Sequence, residues 1–201
     1  MPSLTNASAL QSKKHYLETW SIRRTSCVSA LPVDVGVMDD SPFLPHHKPE
    51  ATVTGMDSFK NLCLSVAEII TDDVCCNDKE LKSVDFSMFP ALERLEIGHD
   101  CFKYTEEVRI IGMKMLERIT IGRASFTAYC PSPERKSGFY LNDCERVKEL
   151  KIGCESFSDY SVCVIDHLPS LEVIEMGNMN TESENFYRAS LALNSDFQRM
   201  K

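Results

Sequence analysis

One phrase, written four times, constrains this chain more than any other feature. ALERLEIGHDCF at 91–102 returns as MLERITIGRASF at 115–126, RVKELKIGCESF at 146–157 and SLEVIEMGNMNT at 170–181. With the glycine as a ruler, Gly98, Gly122, Gly153 and Gly177 stand 24, 31 and 24 residues apart. A single unit of this size has an apolar edge that it cannot bury alone, whereas stacked units join their edges into one continuous core. The spacing therefore predicts a stack of repeats.

Within each unit three apolar positions recur: Leu92, Leu95 and Ile97; Leu116, Ile119 and Ile121; Val147, Leu150 and Ile152; Leu171, Ile174 and Met176. The last two of each set alternate as a strand does, so strands of successive units are expected to pair at about 4.8 Å. A second column follows, with Val108 and Ile110, Phe139 and Leu141, Cys163 and Ile165, and Leu191 and Leu193. This predicts two short strands per unit. The longest unit places its extra residues in FTAYCPSPERKSG, between Phe126 and the second strand, and NMNTESENFY supplies extra length in the last unit. VAEIITDDVCC reads as a degenerate first unit, with Val66, Ile69 and Cys76 in the places of Leu92, Leu95 and Phe102, and Asp72 in the place of the glycine.

Upstream the pattern stops. Residues 1–56 hold five of the nine prolines and no sustained periodicity, which predicts a disordered or loosely ordered N-terminal tail before a folded region of 57–201. Phe59, Leu62, Val66 and Ile69 or Ile70 fall at helical spacing after Asp57 and Ser58, so a short helical cap is expected at 57–65, with coils from 66 onward. A competing reading makes Val66, Ile69 and Thr71 the first strand. RRTS at 23–26 resembles a kinase acceptor sequence, with Ser26 as the acceptor.

The repeated residues resemble the leucine-rich repeat, L-x-x-L-x-L-x-x-N/C-x-L, at its leucine positions, while Asp100, Ala124 and Glu155 stand where its asparagine would. IGRASFTAYC and IGCESFSDY are similar to the BspA-like type of that family. The resemblance covers roughly residues 64–195. It implies a mainly β, right-handed leucine-rich-repeat-like solenoid of about five coils with two short strands per coil. Without the asparagine ladder, a flatter two-stranded coil is expected in place of the familiar horseshoe.

Chemistry is sparse by comparison. The chain has no glycine-rich phosphate loop, paired-histidine helix motif or exposed-serine elbow. Cys75, Cys101, Ser125 and Ser156 read as a column of small core residues, and VCCND lacks a second cysteine pair at zinc spacing. A strand through Cys75 and Cys76 would point them to opposite faces. No metal or cofactor is expected, and no catalysis; a cysteine hydrolase built on Cys101 and His99 is a distant third reading. A net charge of −8 and a pI near 5.2 weigh against nucleic acid. No run approaches the roughly 20 apolar residues of a membrane span. Nine cysteines without an export signal favour reduced thiols in the cytoplasm; an exported surface-recognition or adhesion protein is the alternative.

What remains is surface. The outward side of the first strand column carries Glu93, Arg94 and Glu96, then Glu117, Arg118 and Thr120, then Lys148, Glu149 and Lys151, then Glu172, Val173 and Glu175. This grid is the leading candidate for binding a protein partner; a solvated sheet face would also be polar. A second candidate is the 128–138 loop with Tyr129, Arg135, Lys136 and Tyr140, near which Phe139 and Tyr160 also fall. The last coil has no evident capping unit, which raises self-association as a further expectation.

Overall fold

The computed structural model describes residues 49–129, 136–177 and 183–194. These residues are mainly β with almost no helix. In order come β1 (Glu50–Val53), α1 (Met56–Lys60), β2 (Glu68–Thr71), β3 (Ser83–Asp85), β4 (Arg94–Ile97), β5 (Glu107–Ile111), β6 (Arg118–Ile121), β7 (Gly138–Asn142), β8 (Glu149–Ile152), β9 (Val162–Asp166), β10 (Val173–Met176) and β11 (Ser190–Asn194), with a single 3-10 turn at Phe86–Met88. The strands form two parallel sheets, one in the order β1-β2-β4-β6-β8-β10 and the other β11-β9-β7-β5-β3. From β2 onward the chain alternates between the sheets, so each strand pairs with strands one repeat before and after it.

Register follows the sequence columns. Ile69, Leu95, Ile119, Leu150 and Ile174 are successive partners in the first sheet. Val84, Val108, Phe139, Cys163 and Leu191 are successive partners in the second. The extra residues of the longest repeat therefore fall before β7 without disturbing its pairing. Alternation of buried and part-exposed residues along β2, β4, β5 and β8 turns one side of each strand inward, as a period of two requires.

Turns between the sheets carry the repeat's signature. A Cβ on Gly122 would lie 2.6 Å from the carbonyl carbon and oxygen of Gly98, and one on Gly153 would lie 2.7 Å from the carbonyl carbon of Gly122. Successive turns thus touch backbone to backbone where any side chain would intrude. Two residues later Asp100, Ala124 and Glu155 adopt φ of 57°, 54° and 64°, and Phe102, Phe126, Phe157 and Phe186 adopt 54°, 54°, 59° and 52°. Such backbone costs a non-glycine residue about 1–2 kcal/mol. The phenylalanines it aims inward offset that cost. Phe102 stacks on Phe126 at 4.9 Å and 6°, Phe126 on Phe157 at 5.3 Å and 4°, and Phe157 on Phe186 at 4.9 Å and 5°.

The small-residue column does more than fill space. Cys75 N donates to Cys101 Sγ at 3.3 Å, Cys101 N to Ser125 Oγ at 3.0 Å, and Ser125 N to Ser156 Oγ at 3.1 Å. In return Cys101 Sγ donates to Asp72 O at 3.1 Å, Ser125 Oγ to Gly98 O at 2.8 Å and Ser156 Oγ to Gly122 O at 2.6 Å. Asn185 Nδ2 continues the series to Gly153 O at 2.7 Å. A polar ladder therefore runs beside the aromatic stack, satisfying backbone groups that the turns would otherwise bury unpaired.

The start of the chain differs from expectation. The helix is five residues long, not the expected 57–65, and it does not open the described region, because β1 precedes it and pairs with β2. Leu62 and Val66 are buried outside the helix, in turns closed by Leu62 N to Phe59 O at 3.3 Å and Val66 N to Cys63 O at 3.1 Å that lead into β2. Strand formation at Glu50–Val53 also draws part of the expected tail into the first sheet, where register with Glu68–Thr71 supplies backbone partners that local sequence does not advertise. Residues 1–48, including Asn6, His15, Ser26, Cys27, His46 and His47, lie outside the described residues.

Candidate interaction surface

The outward side of the first sheet gathers most of the expected contact residues. Glu68, Arg94, Arg118, Glu149 and Val173 form one cross-strand row, and Ile70, Glu96, Thr120, Lys151 and Glu175 the next. Glu93, Glu117, Lys148 and Glu172 make a third line just before the strands, bonded in series through Glu117 N to Glu93 O at 2.8 Å, Lys148 N to Glu117 O at 2.9 Å and Glu172 N to Lys148 O at 2.9 Å. Arg94 stands directly beside Arg118, so like charges align on that pair of strands.

Most of the grid is internally paired. Arg94 meets Glu68 at 3.7 Å and bonds Glu96. Glu117 holds Arg146 at 2.6 Å and Lys148 at 3.4 Å. Lys151 holds Glu149 at 2.6 Å and Glu175 at 3.9 Å. The hydrogen bond from Lys148, assisted by the charges of Lys148 and Arg146, keeps the Glu117 carboxyl below the usual glutamate range. Lys151 does the same for Glu149, and Glu149 in turn raises the Lys151 ammonium. Arg118 is different. It is exposed, sits between Arg94 and Glu149, and has no hydrogen bond or ion pair within the described residues; Glu149 feels its charge only at a distance.

The second candidate divides. Phe139 and Tyr160 are fully buried, Phe139 against Phe157 at 4.8 Å and Tyr160 edge-on to Phe157 at 4.9 Å, so neither belongs to a surface. Tyr129 is 61% exposed and meets the edge of Tyr104 at 6.1 Å, with Lys79 Nζ 5.7 Å from the Tyr104 ring. Tyr140 lies on the outer side of the other sheet, over Gly138 and between Arg109 and Val164 in register. Lys136 is exposed, while Arg135 and the rest of 130–135 lie outside the described residues. Sequence reasoning missed the Tyr104–Lys79 contact because the two residues belong to different repeats.

Cysteines and histidines occupy structural places. Cys75 and Cys76 are both buried in a turn, where the positive φ of Val74 and Cys76 replaces the strand alternation that would have separated them. Burial pushes the Cys76 and Cys163 thiols up to about 12 and raises that of Cys101 as well. His99 Nδ1 accepts from Arg123 N at 2.8 Å, and Cys101 Sγ is turned to Asp72 O. The seven cysteines within the described residues are free thiols. No helix among the described residues is long and apolar enough to cross a membrane.

No family model, curated protein or solved structure matches the chain.

Proposed function

We propose that the chain is a right-handed, leucine-rich-repeat-like solenoid of the BspA-like kind, and that it serves as a non-catalytic protein-interaction module. The paired columns, the alternation between two parallel sheets and the stacked phenylalanines support the architecture. Arg118 supports the function. In a grid whose other basic side chains already hold carboxylates, it is a guanidinium set beside Arg94, with Thr120 two residues on, and open to solvent. Two aligned guanidiniums suit a partner that brings its own carboxylate, which Arg binds with two parallel hydrogen bonds. The buried free thiols favour a reducing, cytoplasmic setting.

Proximity labelling in cells, followed by capture on the purified full-length chain, tests the reading. A partner retained by the wild type should bind at least tenfold more weakly to Arg118→Glu, and its affinity should fall as salt rises. If the same proteins bind Arg118→Glu with undiminished affinity, the charged face is merely solvated. Turnover of a substrate by the purified chain would overturn the non-catalytic assignment.

A further inference from the structure

The strand rows of the interior change environment at the last repeat, although Phe186 stays buried on the aromatic stack. Leu95, Ile119 and Leu150 are sealed from solvent, yet their partner Ile174 is 43% exposed. Phe139 and Cys163 are sealed, and Leu191 beside Cys163 is 54% exposed; Leu141 and Ile165 are buried, and Leu193 beside Ile165 is 53% exposed. β10 and β11 are the terminal strands of their two sheets. Among the described residues, two backbone edges without a neighbouring strand therefore end together, with aliphatic side chains beside both. Paired edges of this kind are templates for further strands.

The shape of this end restricts its occupant. One extended peptide completes one sheet and leaves the other edge open. The opposite end of the array is a poor complement: there the six-stranded sheet runs one strand further than the five-stranded one, and Phe59 of α1 packs on Phe86 and Phe102 at 6.3 and 5.3 Å. The same end of a second copy matches by construction. A twofold axis crossing both sheets reverses strand direction, so β10 meets β10 of the second copy antiparallel, β11 meets β11 likewise, and both edges close at once. Glu175, on the outward side of β10, already has Lys151 of its own chain at 3.9 Å. We propose that the chain forms a closed homodimer through β10 and β11, burying Ile174, Leu191 and Leu193 of each copy. This contact is independent of the Arg118 face.

Sedimentation velocity of the full-length chain over a wide concentration range is the test. The expected mass rises to twice the 22.7 kDa of one chain and stops there. Leu191→Lys with Leu193→Lys should remain a single chain with an unchanged far-ultraviolet circular dichroism spectrum. Ile174→Lys, on the other sheet, is an independent second variant in case the first pair does not fold, and should also halve the mass. A wild type that stays single at every concentration, a mass that grows past two, or a dimer that survives both variants overturns the proposal. A single chain whose β11 amides are nonetheless protected from hydrogen exchange overturns it in favour of the chain's own residues 195–201 covering the edge.

Discussion

Tyr160 donates its hydroxyl to the carbonyl oxygen of Thr105 at 2.8 Å, spanning 55 residues and passing over an entire repeat. Thr105, Tyr129 and Tyr160 each follow a stacked phenylalanine by three residues. In the intervening repeat Tyr129 is turned to solvent at the start of the insertion. The hydroxyl of Tyr160 thus reaches a carbonyl two repeats away, in a region from which water is excluded.

Tyr160→Phe tests that bridge. It keeps the ring against Phe157 but leaves the Thr105 carbonyl without this donor, a loss of about 1–3 kcal/mol for a buried group. Urea unfolding should show a lower midpoint with an unchanged slope. An unaltered midpoint would mean that water replaces the hydroxyl.

Gly122→Ala should destabilise strongly, because its Cβ would press on backbone atoms at 2.6 Å that have no rotamer to escape into. Overpacking of this kind costs about 1–3 kcal/mol or more. Gly55→Ala is the control: its Cβ would meet nothing within 4 Å, and its φ of 170° suits any residue. Thermal unfolding should separate the two by several degrees, and equal midpoints would show that the turns can spread.

Ser125→Ala should be worse than Ser125→Cys. Ser125 Oγ accepts from Cys101 N at 3.0 Å and donates to Gly98 O at 2.8 Å, so alanine strands two backbone groups at a cost of about 1–3 kcal/mol. Cysteine already performs both roles at Cys101, one repeat earlier. Chemical denaturation of the two variants should rank them in that order.

Glu117 should titrate below an ordinary glutamate, since Lys148 and Arg146 favour its charged form. A folded value below the unfolded one means that the pair's contribution to stability is complete above the ordinary glutamate value and is lost as pH falls through the depressed folded value. Carboxyl-carbon resonance titration should find the low midpoint, and Lys148→Met should move it upward. A midpoint indifferent to that substitution would show that the bridge does not persist in solution.

The columns were legible from Leu95, Ile119, Leu150 and Ile174 because strand pairing repeats at a constant offset, and the insertion before β7 was legible because the offset resumes after it. β1 was not, since Glu50–Val53 has no repeat partner in the sequence and is ordered by backbone bonds to β2. Asn185 and Phe186 were missed for a related reason: the longer last turn moved them out of phase with Ser156 and Phe157, though they extend the same ladder and stack. Arg94 beside Arg118 could be read from spacing, whereas the ion pairs of their neighbours depend on side-chain reach.

What the sequence determined by itself is periodicity: which residues share a row, which rows are apolar, and where the glycine recurs. Those follow from local geometry repeated without change. Only the tertiary structure decided that one row changes environment along its length, sealed at Leu150 and open at Ile174, and that Arg118, unlike Arg94 beside it, holds no carboxylate in an ion pair among the described residues. Burial and charge pairing depend on what lies across a gap in space, and spacing along a chain carries no record of that distance.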